Sequence, residues 1–178
     1  MTVIKYLKLP ILALLVSVPL SGCNKPSGFQ IGDQAPAVSL NDFNGKTVLM
    51  PEAFKGKVVL LRFWSIDCGF CDKKMLSVLE DFYQKYKDQG FIPVAVNESQ
   101  LVKTDERLKN YDHLTYPMLV DEYGLVAKRF GVIGLPTTFV IDGQGIVRDK
   151  ITGEAGSEEF EKFFTTILNK GEFYENGH

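Results

Sequence analysis

One stretch, Val58-Val59-Leu60-Leu61-Arg62-Phe63-Trp64, constrains this chain more than any other. It is rich in β-forming residues and almost free of polar alternation, which predicts a strand covered on both faces, central in a parallel sheet. Downstream, Met75, Leu76, Leu79, Phe82, Tyr83 and Tyr86 recur every three or four residues until Gly90. That spacing predicts a helix of about five turns with one apolar face, and Gly90 suits its C-cap. Cys68 and Cys71 fall between the two elements. They are expected where strand turns into helix, with Cys68 at the helix N-terminus among unpaired backbone N–H groups.

The rest of the chain extends this pattern. Phe91-Ile92-Pro93-Val94-Ala95-Val96 reads as the next parallel strand, with Pro93 near its start or at an irregularity because proline cannot donate to a ladder. Leu101 to Asp112 is a charged amphipathic helix candidate, Met118-Leu119-Val120 a short strand and Tyr123 to Phe130 a further helix. Such alternation implies βαβ units. The Gly-rich turn Asp142-Gly143-Gln144-Gly145 joins Thr137–Ile141 to Ile146–Lys150 as a hairpin, and Asn44-Gly45 signals another between Val38–Leu40 and Thr47–Leu49. Ser157 could cap a last helix carrying Phe160, Phe163, Phe164, Ile167 and Leu168. The expected class is α/β, a mixed central sheet with helices on both faces.

The N-terminus reads differently. Lys5 and Lys8 precede a nearly unbroken apolar run, Leu9 to Leu20, and then Ser21-Gly22-Cys23, the layout of a secretory signal. A buried helix or a permanent span is the alternative, but a span needs about 20 consecutive apolar residues and this run is shorter. Leu20-Ser21-Gly22-Cys23 resembles the bacterial lipobox, which would leave Cys23 lipidated as the new first residue. The expected organisation is residues 1–22 as signal peptide, 23–30 as a lipidated tether rich in Pro, Ser and Gly, and 31–178 as one domain. The domain is therefore expected on the extracytoplasmic side of a bacterial membrane, in the periplasm or at the cell surface, held by lipid. A formal net charge of −2, with both signs interspersed, supplies no basic stripe for nucleic acid.

With Cys23 assigned to lipid, Cys68 and Cys71 remain, separated by Gly69 and Phe70. A structural disulfide would close so short a loop that it makes a poor staple. Zinc wants four ligands, and His113 and His178 are isolated. Covalent haem attachment needs a histidine where this chain has Asp72. Redox chemistry suits the pair better: a helix N-terminus favours the attacking thiolate, so Cys68 is the candidate nucleophile and the more buried Cys71 the resolving thiol. Two thiols at this spacing can cycle without metal or organic cofactor.

Gly32-Asp33-Gln34-Ala35-Pro36, Phe54-Lys55-Gly56-Lys57-Val58-Val59-Leu60, Phe63-Trp64, Val94-Ala95-Val96-Asn97 and Gly134-Leu135-Pro136-Thr137-Thr138-Phe139 carry a family likeness. Over about Ile31 to Leu168 the chain resembles the TlpA and ResA group of membrane-tethered, thioredoxin-like bacterial thiol-disulfide oxidoreductases. The resemblance implies a thioredoxin fold with an added N-terminal hairpin and an inserted helix, roughly Gln100 to Asp112. It implies a cis Leu135–Pro136 peptide facing the cysteines, with the Leu135 backbone offered to an extended substrate segment. Gly69 and Phe70 would also meet substrate, Trp64 would shield the rim of the site, and Glu98 would be the active-site acid, its plainer reading being a solvated loop glutamate.

This chain departs from the group in three places. Phe70 stands where many relatives have proline, and Asp67 where many have an aromatic, so an acid beside the thiolate would raise the thiol pKa. Arg62 stands where thioredoxins place a buried acid, and it cannot act as a base. The activity implied is reduction of disulfides in protein partners, for example apocytochrome c before haem attachment, with a membrane thiol-disulfide electron donor regenerating the pair. The alternatives are a disulfide oxidant or isomerase on the same fold, and a copper chaperone using both sulfurs. A peroxidase is disfavoured, because the proline and threonine that usually lead to a peroxidatic cysteine are missing before Cys68.

Overall fold

The structure is a computed structural model that describes residues 30–101 and 105–175, with side chains described as far as residue 169. The expected signal peptide, Cys23 and the tether up to residue 29 lie outside the described residues. The strands are β1 (Val38–Asp42), β2 (Thr47–Met50), β3 (Val58–Trp64), β4 (Phe91–Asn97), β5 (Met118–Val120), β6 (Thr137–Ile141) and β7 (Val147–Thr152). The α-helices are α1 (Lys74–Tyr86), α2 (Leu125–Arg129) and α3 (Ser157–Glu175).

β3 is buried at every position, as its unbroken apolar run requires. It lies inside a seven-stranded mixed sheet of order β2-β1-β5-β4-β3-β6-β7, parallel to β4 and antiparallel to β6. Alternate side chains enter two different cores. Val58, Leu60 and Trp64 join Leu76, Leu79, Phe160 and Phe164 beneath α1 and α3, whereas Val59, Leu61 and Phe63 join Val126, Phe130 and Phe139 on the α2 side. Helices on both faces thus bury both sides of the strand, the arrangement of the thioredoxin fold.

Pro93 is the third residue of β4, near the strand's start as expected, and lies opposite Leu60. The ladder accommodates it. Ala95 N–H donates to the Pro117 carbonyl on the β5 side (3.0 Å), and Pro93 points the same way two residues earlier, before β5 begins. No ladder donor is lost there.

The N-terminal hairpin forms as expected and joins the sheet through β1, where Asn41 pairs with Val120 and Asp42 with Leu119. After α1, a 3₁₀ turn ends at Gly90, whose φ of 85° places it in the left-handed region that favours glycine.

The inserted helix, α2 and α3 are among the elements whose boundaries differ from expectation. The inserted helix is a 3₁₀ segment, Glu106–Tyr111, started by the Asp105 side chain accepting from Arg107 N–H. None of its residues is buried, so no packed face extends it into a longer α-helix. α2 starts only after Gly124, which takes a left-handed conformation. The cap position of α3 falls to Gly156, whose carbonyl receives the Phe160 N–H (3.1 Å), with Ser157 the first helical residue. Both Leu135–Pro136 and Met50–Pro51 are cis, the second unforeseen. Among the described residues no helix is long and apolar enough to cross a membrane.

Candidate active site

The chain leaves β3 at Trp64 and passes through a turn at the carboxyl end of this central strand before entering α1. Ser65 organises that turn: its hydroxyl pairs with the Ser99 hydroxyl (2.6 Å) and accepts from Asp67 N–H (3.1 Å), and its carbonyl accepts from Cys68 N–H (3.2 Å). Cys68 and Cys71 are joined as a disulfide with their Cα atoms 5.5 Å apart. Cys71 is buried, 5% exposed, while Cys68 is only partly covered. The asymmetry expected of an attacking and a resolving thiol is present.

The helix begins at Lys74, so Cys68 lies in the turn ahead of α1 and not at its N-terminus. Ser65 and Asp72 draw the intervening backbone N–H groups into turn bonds, which delays the helix. The Lys73 ammonium donates to the Cys68 carbonyl.

Pairing of β6 with β3, Thr137 opposite Phe63, carries the cis-proline loop to the same sheet end. There the Leu135 carbonyl oxygen lies 3.9 Å from Cys68 Sγ, and Pro136 is buried beneath. Gly69 is exposed, Phe70 is 88% exposed and Ile133, three residues before Pro136, is 91% exposed. Trp64 corrects the expectation of a rim residue. It is 1% exposed and sealed by Tyr111 at a ring separation of 5.2 Å, so it packs the core instead of meeting a partner.

Charge is arranged around the turn. Asp67 pairs with Arg107 (2.6 Å), and that guanidinium holds its carboxyl below the usual carboxylate range. The acid feared to oppose the thiolate is therefore matched by a cation. Arg62, fully buried on β3, donates to Glu154 Oε1 (2.5 Å), and the same oxygen accepts from Asp72 N–H (2.6 Å). Neither Arg107 nor Glu154 stood out in the sequence; the only signal was Arg62 itself, since a buried guanidinium demands an anion.

Glu98 follows β4, its N–H donating to the Trp64 carbonyl (2.9 Å), which sets it at the cysteine end of the sheet. Its Oε1 is buried without a hydrogen-bond partner among the described residues. Burial, aided by the Asp121 carboxylate, pushes its carboxyl up to about 7. It makes no hydrogen bond to either cysteine among the described residues, so the structure brings Cys68, Cys71, Leu135 and Pro136 together and leaves Glu98 near them. His113 engages the Ser77 hydroxyl (3.1 Å) on α1.

Residues 31–150 match the AhpC/TSA family. The thiol-disulfide oxidoreductase ResA of Bacillus cereus is 35% identical over 145 residues, covering 81% of this chain and 82% of that protein. Among solved structures, a Chlorobium tepidum protein assigned as thiol:disulfide interchange protein DsbE superposes with a TM-score of 0.70 at 30% identity, covering 79% of this chain and 99% of the other. The exposed lipoprotein thioredoxin Etrx1 of Streptococcus pneumoniae superposes with a TM-score of 0.59 at 25% identity, covering 74% and 99%. A paired Cys68–Cys71 on this fold, with likeness spanning most of both chains, places the protein in the AhpC/TSA family, within its thioredoxin-like ResA group of thiol-disulfide oxidoreductases.

Proposed function

We propose that this enzyme is a lipid-anchored reductase of disulfides in protein partners on the extracytoplasmic side of a bacterial membrane. The observation that carries the reading is the asymmetry of the pair: a partly exposed Cys68 beside the Leu135 carbonyl, backed by a buried Cys71. An extended partner segment can pair with the Leu135 backbone and bring its disulfide to Cys68. The Cys68 thiolate attacks one partner sulfur, the partner S–S bond breaks and one thiolate leaves. Cys71, as thiolate, then attacks Cys68 Sγ, closes the intramolecular disulfide and releases the second partner thiol. Two electrons pass to the partner, and a membrane dithiol donor restores the reduced pair. Apocytochrome c awaiting haem is the substrate that the family likeness favours. The lipobox-like Leu20-Ser21-Gly22-Cys23 and the lipoprotein character named for Etrx1 support the anchor.

The test is redox equilibration of the full chain in glutathione or dithiothreitol buffers, followed by Trp64 fluorescence, with Cys68→Ser and Cys71→Ser as controls. A reversible two-electron transition near −270 mV supports the reductase, whereas one near −120 mV assigns an oxidant. No transition, with stoichiometric copper binding lost in Cys68→Ser, would assign a metal carrier. Mass spectrometry of the chain made in a bacterium tests the anchor: acyl chains on an N-terminal Cys23 are expected, and an intact residue 1–22 segment would remove it.

A further inference from the structure

Arg62 stands where thioredoxins place a buried acid. The structure supplies one from elsewhere. Glu154, just beyond β7, sets its carboxylate between buried Arg62 and the turn after Cys71, with its side chain 28% exposed against 0% for Arg62. One oxygen, Oε1, bridges Arg62 Nη2 and the backbone N–H of Asp72, the residue directly after Cys71. Arg62 is held further by Thr138 Oγ1 (3.3 Å) and lies over the Phe160 ring at 5.7 Å, while its Nε has no partner among the described residues. The guanidinium cannot swing away to find water. A fixed cation, its counter-ion and the resolving cysteine's turn are therefore one hydrogen-bonded unit.

We propose that Glu154 is a positioning residue that ties the turn after Cys71 to buried Arg62 and, by neutralising that cation, keeps the Cys68–Cys71 pair reducing. The proposal rests on the oxidoreductase reading above and assigns what tunes that same site. The disulfide carries no charge, whereas its reduced form develops a thiolate. An uncompensated Arg62 would favour the thiolate, stabilise the reduced pair and make the protein a stronger oxidant. Glu154 cancels much of that attraction, so oxidation of the pair, and hence reduction of a partner, is favoured.

The experiment equilibrates the full chain with reduced and oxidised glutathione and reads the Cys68–Cys71 equilibrium constant for wild type, Glu154→Gln, Glu154→Ala and the double variant Arg62→Gln/Glu154→Gln, with Glu158→Gln as an exposed control. Glu154→Gln keeps an acceptor for Asp72 N–H and removes only charge. It is expected to shift the constant about tenfold toward the reduced protein, or ~30 mV more oxidising. Glu154→Ala shifts it at least as far, the double variant returns it to within about threefold of wild type, and Glu158→Gln leaves it unchanged. A merely structural role would not produce a shift that is cancelled when Arg62 is also neutralised. A Glu154→Gln constant within about twofold of wild type, or one shifted the other way, overturns the proposal, and that single variant decides if the double variant does not fold. A wild-type chain with no reversible transition would instead overturn the oxidoreductase reading itself.

Discussion

Arg107 Nη1 donates to Asp67 Oδ1 across 2.6 Å, so the acid next to Cys68 is paired by a cation from the inserted 3₁₀ segment. Arg107 also grips Asp105 Oδ2 (2.6 Å), which holds it in place. The insertion thus reaches back to the charge balance at the nucleophile.

Removing that cation exposes Cys68 to an unpaired Asp67. In Arg107→Ala the Cys68 thiol pKa is expected to rise, slowing its alkylation by iodoacetamide at neutral pH by roughly two- to fivefold, the effect an exposed pair supports. Because both side chains face water, the difference from wild type should vanish in about 1 M salt. A difference that survives high salt would mean that Arg107 acts through structure instead.

The unequal burial of the two sulfurs sets an order of reaction. In the reduced protein, limiting iodoacetamide should label Cys68 before Cys71, as read by peptide mass mapping. The Cys71→Ser variant should accumulate a mixed disulfide with a disulfide-bearing partner, which Cys68→Ser cannot form. Equal labelling of both cysteines would contradict the 5% exposure of Cys71.

Glu98 makes stability depend on pH. Folding holds its carboxyl protonated up to about 7, whereas the unfolded chain ionises it near ~4.3. Between those values the native state binds the extra proton, so this group's contribution to stability falls as pH rises from about 4.3 to 7. Glu98→Gln should be near neutral in urea unfolding at pH 4 and stabilising at pH 8 by ~1–2 kcal/mol, a figure reduced for the side chain's partial exposure. An equal effect at both pH values would show that ionisation of Glu98 is not its origin.

The α1–α3 core hinges on Phe164, fully buried, stacked on Phe91 with ring centroids 3.9 Å apart and packed against Phe82 and Tyr86. Phe164→Ala should cost ~3–5 kcal/mol in chemical denaturation. A loss below ~1 kcal/mol would mean that the surrounding rings close over the gap.

What was legible in the sequence was periodic or local. β3 announced itself because a strand buried on both faces needs seven residues with almost no polar break, and α1 because its apolar residues recur at helical spacing up to Gly90. Both hairpins followed from glycine-bearing turns between strand-like runs. The cysteine pair was visible by spacing, and the cis Leu135–Pro136 bond through the family likeness rather than any local pattern. Tertiary structure decided the rest: where α1 starts, that Tyr111 seals Trp64, that Arg107 matches Asp67, and that Glu154 answers Arg62 from 92 residues away. Such contacts join residues whose separation along the chain carries no periodic signal, and each partner is chosen by which side chains the folded sheet brings within reach. A buried Arg62 obliges the fold to supply an anion, but only the path of the chain beyond β7 determines that Glu154 supplies it.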